Sequence, residues 1–476
     1  MRTGQGSSPR RQPAREPAAR TYPRALPIVP VRARGMTIEG ADGRRYLDCL
    51  SGAGALALGH NHPVVLEAIR KVLDSGAPLN ALDLATPVKD AFVTELFRTL
   101  PPGLADRARV RFCGPSATDA LRTARELVSA ATGPTGFVGG DAMTTRLAYP
   151  QDCSDLFEPV PGTGIKAEAA ARTGARAARL PSGVIVEPVQ GEGGVIPAPD
   201  AWLRRVRQLT ADRSVPLIAD ETQTGVGRTG TFWAVQHSGV TPDVMILSEA
   251  VGGSLPLAVV VYRDDLDPGE LAAPTGAFRG NQLAMAAGTA TLAHVREHRL
   301  AERAATLGAR MLRQLRLLCD EFDCVADVRG RGLMLGVELE HPASAVNERS
   351  TDEPQAPEPQ APESQTPEPP TDDPAADELA AVVQRECLRR GLIVGLAGRH
   401  ANVVRLLPPL TVTDEQADAV LDRLTDAIRA ASRAASRAAS RSEVSTPVQR
   451  TQRTQRGRRE LRAQRGQQGP AARHEP

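Results

Sequence analysis

Three short apolar runs of one format constrain this chain more than any other feature. "SGVIVEPVQGEGG" (182–194), "VPLIADETQTGVGRTG" (215–230) and "PDVMILSEAVGGSLPLAVVVY" (242–262) each pass from consecutive apolar residues to a carboxylate and then break into glycines. An apolar run without alternation is buried on both faces, which is the pattern of a strand inside a parallel sheet. The stretch Ala201–Ala211 between the first two has helical spacing. Strands alternating with helices predict an α/β domain with a mostly parallel sheet. In such sheets ligands collect beyond the C-terminal strand ends. Glu187, Asp220 and Ser248-Glu249 fall there.

The flanking sequence extends this plan. "MTIEGADGRRYL" (36–47) alternates around Asp42-Gly43, a type I′ hairpin signal. Helices are expected over 62–73 and from Pro87, with Thr86 as N-cap, to about Thr99. A strand over 107–114 runs into a turn and a helix from about Thr118 to Ala131. One long helical stretch covers 284–318, "VADVRGRGLMLGVELE" (325–340) reads as a strand pair, and a helix over 378–390 precedes strands "LIVGL" and "NVVRLL" and a helix over 413–431. These last pieces make a smaller α+β domain. The expected organisation is a disordered leader (1–21), an N-terminal segment packing with the small domain (22–76), a large domain (77–293), a C-terminal small domain (294–431) and a disordered basic tail (432–476). An acidic, proline-rich insert (341–377) interrupts the small domain; its echo "EPQAPEPQAPESQTPEPP" cannot bury a core.

Composition matters here mainly for what it excludes. Hydrophobic residues are 41% and charged residues 24%, as in ordinary globular chains. No apolar run approaches the ~18 residues a membrane span needs, and residues 1–20 lack the apolar centre of a secretory signal. A soluble, cytoplasmic protein with no membrane partner is the expectation. Six scattered cysteines without a C-x-x-C pair indicate neither a zinc site nor a disulfide framework, and no metal is expected. The basic character sits in the tails: residues 1–20 hold five Arg and one Glu, and residues 432–476 hold eleven Arg and three Glu. Without interleaved aromatics the tail is read as a solvated end and no nucleic-acid partner is expected. Of 58 Lys and Arg, only Lys71, Lys89 and Lys166 are lysines.

Taken in order, "DGRRYLDCLSGAGALALGHNHP" (42–63), "CGPSATDAL" (113–121), "VIVEPVQGEGG" (184–194), "LIADETQTGVGRTG" (217–230), "FRGNQLA" (278–284), "VRGRGLMLGVEL" (328–339) and "VVRLLPPLTVT" (403–413) resemble the class III pyridoxal-phosphate aminotransferases. The likeness spans roughly residues 22–431 apart from the insert, and within the class it is nearest the diaminobutyrate–2-oxoglutarate branch. The resemblance implies an α/β protein of PLP fold type I, with a large, mostly parallel-sheet domain, a smaller α+β domain, and a dimer that holds pyridoxal 5'-phosphate near the subunit interface.

Carried over position by position, the resemblance assigns Asp220 to the pyridine nitrogen, where a carboxylate keeps the ring protonated as an electron sink. Gln223 matches the partner of the ring hydroxyl. Ala117 and Thr118 match a Gly-Thr pair whose N–H groups hold the phosphate at a helix start; alanine there puts a Cβ where the family has none. Arg405 matches the clamp for a substrate carboxylate, a task suited to a guanidinium fork. Glu192 matches its switch partner. Read without the resemblance, Asp220 is a strand-end turn cap, and Arg405 and Glu192 are an ion pair or turn residues.

Three positions depart from the family. Glu249 stands where the lysine that bonds the cofactor should be, and no lysine follows Lys166. "GFVGGDAMTTRLAYP" (136–150) lacks the aromatic-His pair that stacks on the ring, and Ala277 replaces a threonine that reaches the partner's phosphate. "GVGRTG" (225–230) is only superficially a dinucleotide fingerprint, because it does not open a first βα unit. The implied activity is transfer of the terminal amino group between L-2,4-diaminobutyrate and 2-oxoglutarate, impaired by the missing lysine. The alternative is a non-catalytic subunit. The amino-acid and 2-oxo-acid substrates and a homodimer, or a heterodimer with an active paralogue, follow as expected partners.

Overall fold

The computed structural model describes residues 28–139, 180–269, 277–340, 374–435 and 437. The expectations for residues 1–27, for 140–150 and for the insert up to 373 lie outside them, as do those for 270–276 and for the tail apart from 432–435 and 437.

The central sheet contains six strands in the order β4 (Ala108–Phe112), β11 (Val259–Arg263), β10 (Val244–Leu247), β9 (Leu217–Asp220), β6 (Gly183–Val186) and β5 (Phe137–Val138). Strands 10, 9, 6 and 5 are mutually parallel, and only β11 runs against its neighbours. Strands 4, 10, 9 and 6 therefore all end at one edge of the sheet. Side chains alternate across the strands, and here both faces are apolar. Ile218, Val244 and Ile246 meet Ala120, Ala124, Leu127 and Val128 of helix α3 (Ala117–Thr132) on one side. Met245 and Leu247 join the principal core on the other. At about 1.5–3 kcal/mol per buried large aliphatic chain, these two faces hold the sheet between its helices.

Helix α1 (Pro63–Asp74) begins on a proline, and α2 (Pro87–Phe97) is capped as its sequence suggests, the Thr86 hydroxyl accepting the Lys89 N–H at 3.1 Å. Helix α4 (Asp200–Asp212) covers the sheet beside β6 and β9. The second layer of structure is the antiparallel sheet β12 (Val325–Arg331), β13 (Met334–Leu339), β16 (Val403–Leu406) and β15 (Gly395–Ala397), packed by helices α6 (Leu300–Glu321) and α7 (Pro374–Arg389). A final helix, α8, runs over 414–435.

Four local expectations are corrected. The hairpin between β2 (Thr37–Gly40) and β3 (Arg45–Asp48) has a three-residue loop, Ala41-Asp42-Gly43, rather than a two-residue type I′ turn. Gly43 takes φ +76°, and Asp42 Oδ1 accepts the Arg44 N–H at 3.1 Å. The helical stretch 284–318 is two helices, α5 (Gln282–Glu297) and α6, separated at His298-Arg299, where Arg299 has φ +51°. The turn lets Leu300 enter the core. "LIVGL" serves two sheets: β14 (Leu392–Ile393) pairs in parallel with β3, whereas β15 pairs with β16. Helix α7 begins at Pro374 rather than 378, with a proline in the position that needs no N–H.

Candidate active site

The common strand edge gathers the candidates. Asp220 closes β9, and because Ile246 of β10 lies beside it in register, Glu249 emerges from the adjacent strand two residues beyond Leu247. The Glu221 N–H bonds to Ile246 O at 3.0 Å and ties the two exits together. Asp220 Oδ1 accepts the Thr222 N–H at 3.0 Å. Burial raises the Asp220 carboxyl above its ordinary range, an effect only partly offset by Thr222. Glu221 points the other way. It is buried, accepts from the Thr224 hydroxyl and from Val235 N–H at 2.9 Å, and is pushed up to about 7 by burial. It braces the turn.

Arg405 arrives from β16 and is 3% exposed. Directly across from it on the two neighbouring strands lie Gly336 and Gly395. A Cβ on Gly395 would crowd Leu50 Cδ1 at 3.1 Å and meet Arg405 Nε at an ordinary contact of 3.7 Å. Arg405 Nη1 contacts Glu192 Oε1 at 2.8 Å and donates to Gln223 Oε1 at 3.2 Å, while Gln223 Nε2 donates to the same Glu192 oxygen at 3.2 Å. Gly191 permits this triangle: a Cβ there would sit 2.1 Å from Gln223 Oε1. Glu192 is half exposed.

Glu249 has no comparable partner. Its backbone takes φ +56°, and its Oε2 is buried without a hydrogen bond. Burial pushes its carboxyl up to about 7; Arg405 opposes the rise, and Asp220 and Glu192 reinforce it. The loop Ser51–Gly54 roofs this side chain, a Cβ on Gly54 falling 3.9 Å from Glu249 Oε2. Buried Asp48 anchors the loop by accepting Leu50 N–H at 2.8 Å and Ser51 N–H at 3.1 Å, with His60 Nε2 2.8 Å from its other oxygen. Sequence reading missed this roof. Its signal is the glycine pair of "SGAGAL", where Gly52 and Gly54 both take positive φ.

Ala117 and Thr118 open helix α3 after β4, at the same strand edge. The Ser116 hydroxyl takes the Asp119 N–H at 3.1 Å, and Asp119 Oδ2 accepts the Ser116 hydroxyl at 2.6 Å. Ala117 is an ordinary helical residue, absent from the positive-φ positions, so its Cβ imposes no backbone strain. "GVGRTG" is a structural joint. Buried Arg228 donates to the carbonyls of Leu333 and Pro408. Among the described residues, no group of three or more His, Cys, Asp or Glu is placed to hold a metal, and no helix is long and apolar enough to cross a membrane.

With the geometry in view, comparison with known proteins decides the lineage. The family described as Aminotransferase class-III matches residues 18–138 and 147–428. The chain belongs to the class III aminotransferases. It is 45% identical over 442 residues to a diaminobutyrate–2-oxoglutarate aminotransferase of Rhizobium meliloti (strain 1021), covering 86% of this chain and 90% of that one. It is 37% identical over 445 residues to a protein of the same name from Haemophilus influenzae, covering 87% and 93%. Acetylornithine aminotransferase from Elizabethkingia anophelis superposes with a TM-score of 0.64 at 25% identity, covering 85% and 94%. The fold is PLP fold type I, and the family's chemistry depends on pyridoxal 5'-phosphate.

The donor set fits that cofactor held by non-covalent contacts. Asp220 supplies a half-buried carboxylate for a ring cation, and Ala117 and Thr118 open a helix whose Ser116 cap takes the Asp119 N–H. Position 249 holds glutamate, and no lysine follows Lys166 in the sequence. Lys71 is exposed and paired with Glu67 at 2.7 Å, Lys89 lies over the Phe112 ring at 5.0 Å, and Lys166 is outside the described residues.

Proposed function

We propose that this chain is a diaminobutyrate–2-oxoglutarate transaminase in descent and substrate class, moving a terminal amino group between L-2,4-diaminobutyrate and 2-oxoglutarate, with turnover impaired by the residue at 249. The observation that carries this reading is the Glu249 carboxylate at the end of β10, beside Asp220.

Pyridoxal 5'-phosphate, when bound, supplies an electron sink for the carbon that exchanges its amino group. Asp220 would keep the ring nitrogen protonated, Ala117 and Thr118 would hold the phosphate, and Gln223, whose amide bridges Arg405 and Glu192, would turn from them to meet the ring hydroxyl. Arg405 grips the carboxylate of the oxo acid once Glu192 swings away, and Glu192 returns when the amino donor presents no carboxylate there. A lysine at 249 would both anchor the cofactor and shuttle a proton, a task worth ~10²–10⁴-fold. Glu249 can do only the second, and only while its carboxyl is ionised. Single-turnover and steady-state assays with both substrates test the reading. Wild type should fall at least 10³-fold below Glu249→Lys, and equal rates would overturn it.

A second reading, a non-catalytic subunit paired with an active paralogue, draws on a different observation. Leu79, Leu82, Leu84 and Phe278 leave an apolar strip exposed. Its two segments are knitted by Ala81 N–H to Gly280 O at 2.9 Å and by Arg279 to Asp83 at 2.6 Å. An exposed apolar strip, read as a docking face for another subunit, beside a glutamate at the lysine position suits a partner-dependent protein. Native mass spectrometry of the complex from its own source distinguishes self-pairing from pairing with a paralogue.

A further inference from the structure

Among the described residues the two carboxylates at the strand exits are short of cations. Asp220 and Glu249 leave adjacent strands, and the charged groups facing Glu249 are Asp220 from β9, Glu192 from the loop after β7 (Val189–Gln190) and Arg405 from β16. Arg405 is the one cation among them, and it is engaged by Glu192 and Gln223. Glu249 Oε2 is buried and accepts nothing. None of the described residues offers it a donor, and a ligand N–H placed there would complete it.

The cofactor exists in two forms that differ at the group nearest position 249 in the family. The aldehyde form presents a carbonyl oxygen, so an ionised Glu249 would set acceptor against acceptor. The amine form presents an ammonium with three N–H donors, the complement of an unpaired carboxylate. We propose that this chain selects the amine form, pyridoxamine 5'-phosphate, and holds it without a covalent bond, with Glu249 as the anchor of its ammonium group. Asp220 then faces the protonated ring nitrogen, and both carboxylates gain cations at once. Arg405 and Glu192 stay available for a second, carboxylate-bearing ligand. The inference rests on the reading that the cofactor site persists although its lysine does not.

Binding, rather than turnover, tests it. Isothermal titration of the purified full chain at pH 8 with pyridoxamine 5'-phosphate and with pyridoxal 5'-phosphate should show the amine form at least tenfold tighter. Glu249→Gln should erase that preference, and Glu249→Lys should reverse it, with the aldehyde form then trapped by borohydride. Because the carboxyl must be ionised, the wild-type preference should shrink as pH falls from 8 to 6. Equal affinities in the wild type, or tighter aldehyde binding, would overturn the proposal. So would wild type that binds neither form while Glu249→Lys binds the aldehyde, which shows the site intact and Glu249 idle. If neither protein binds either form, the persistent cofactor site itself falls, and the proposal with it.

Discussion

The Arg405 corner and the Glu249 corner of one chamber have opposite electrostatic states. At the first, a buried guanidinium, a carboxylate and an amide close a triangle at 2.8 and 3.2 Å. At the second, a carboxylate sits under a glycine loop with one oxygen unbonded. Both face the same strand ends, so burial alone does not explain the contrast. The difference teaches that the Arg405 end of the site closes on its own side chains, whereas the Glu249 end is left without a donor among the described residues.

The largest effect should come from breaking the satisfied corner. Arg405→Ala removes the cation that pairs with Glu192 and opposes the charge of Glu249; it should cost about 2–4 kcal/mol in chemical denaturation, near the range for opening a buried pair, and abolish 2-oxoglutarate binding by calorimetry. Next comes relief of the unsatisfied corner. A carboxyl whose folded value, about 7, lies above its ordinary 4.5 holds its proton more tightly in the folded state, so ionising it destabilises the fold. The penalty is absent below about pH 4.5 and full above about pH 7. Glu249→Gln should therefore gain roughly 1–3 kcal/mol at pH 8, a gain that fades toward pH 5 in parallel melts. A pH-independent difference would show that Glu249 is not held in a raised state.

Smaller changes sharpen the contrast. Asp48→Asn weakens the anchor of the Ser51–Gly54 roof and should cost about 1–2 kcal/mol, with faster hydrogen exchange confined to residues 50–54. Gln223→Ala removes one bridge of the Arg405 triangle but leaves the 2.8 Å pair, and should cost only about 0.5–1.5 kcal/mol. A larger loss would mean that Gln223, rather than Glu192, holds the guanidinium in place.

Much of this was legible in sequence because the signals are local. Apolar runs ending in acids placed Asp220 and Glu249 at one edge, and Thr86-Pro87 marked its helix start. The break at Arg299 was not legible: no glycine or proline announces it, and the turn is imposed by the burial of Leu300. "LIVGL" could not reveal that its first two residues pair with β3 and its last two extend into another sheet, since partner choice is decided by distant strands. The triangle at Arg405 joins three segments far apart in the chain, and only the resemblance linked two of them. The roof over Glu249 was missed because its glycines act through backbone shape and carry no chemistry.

Arg228 has one consequence of its own. Its guanidinium grips the carbonyls of Leu333 and Pro408, backbone atoms that every amino acid carries. Replacements at 333 or 408 leave the held carbonyls in place, although both side chains are buried and any change is felt in packing, whereas a single replacement at 228 removes both bonds at once. Losses at the held positions should therefore be graded by side-chain volume, and losses at the holding residue all-or-none.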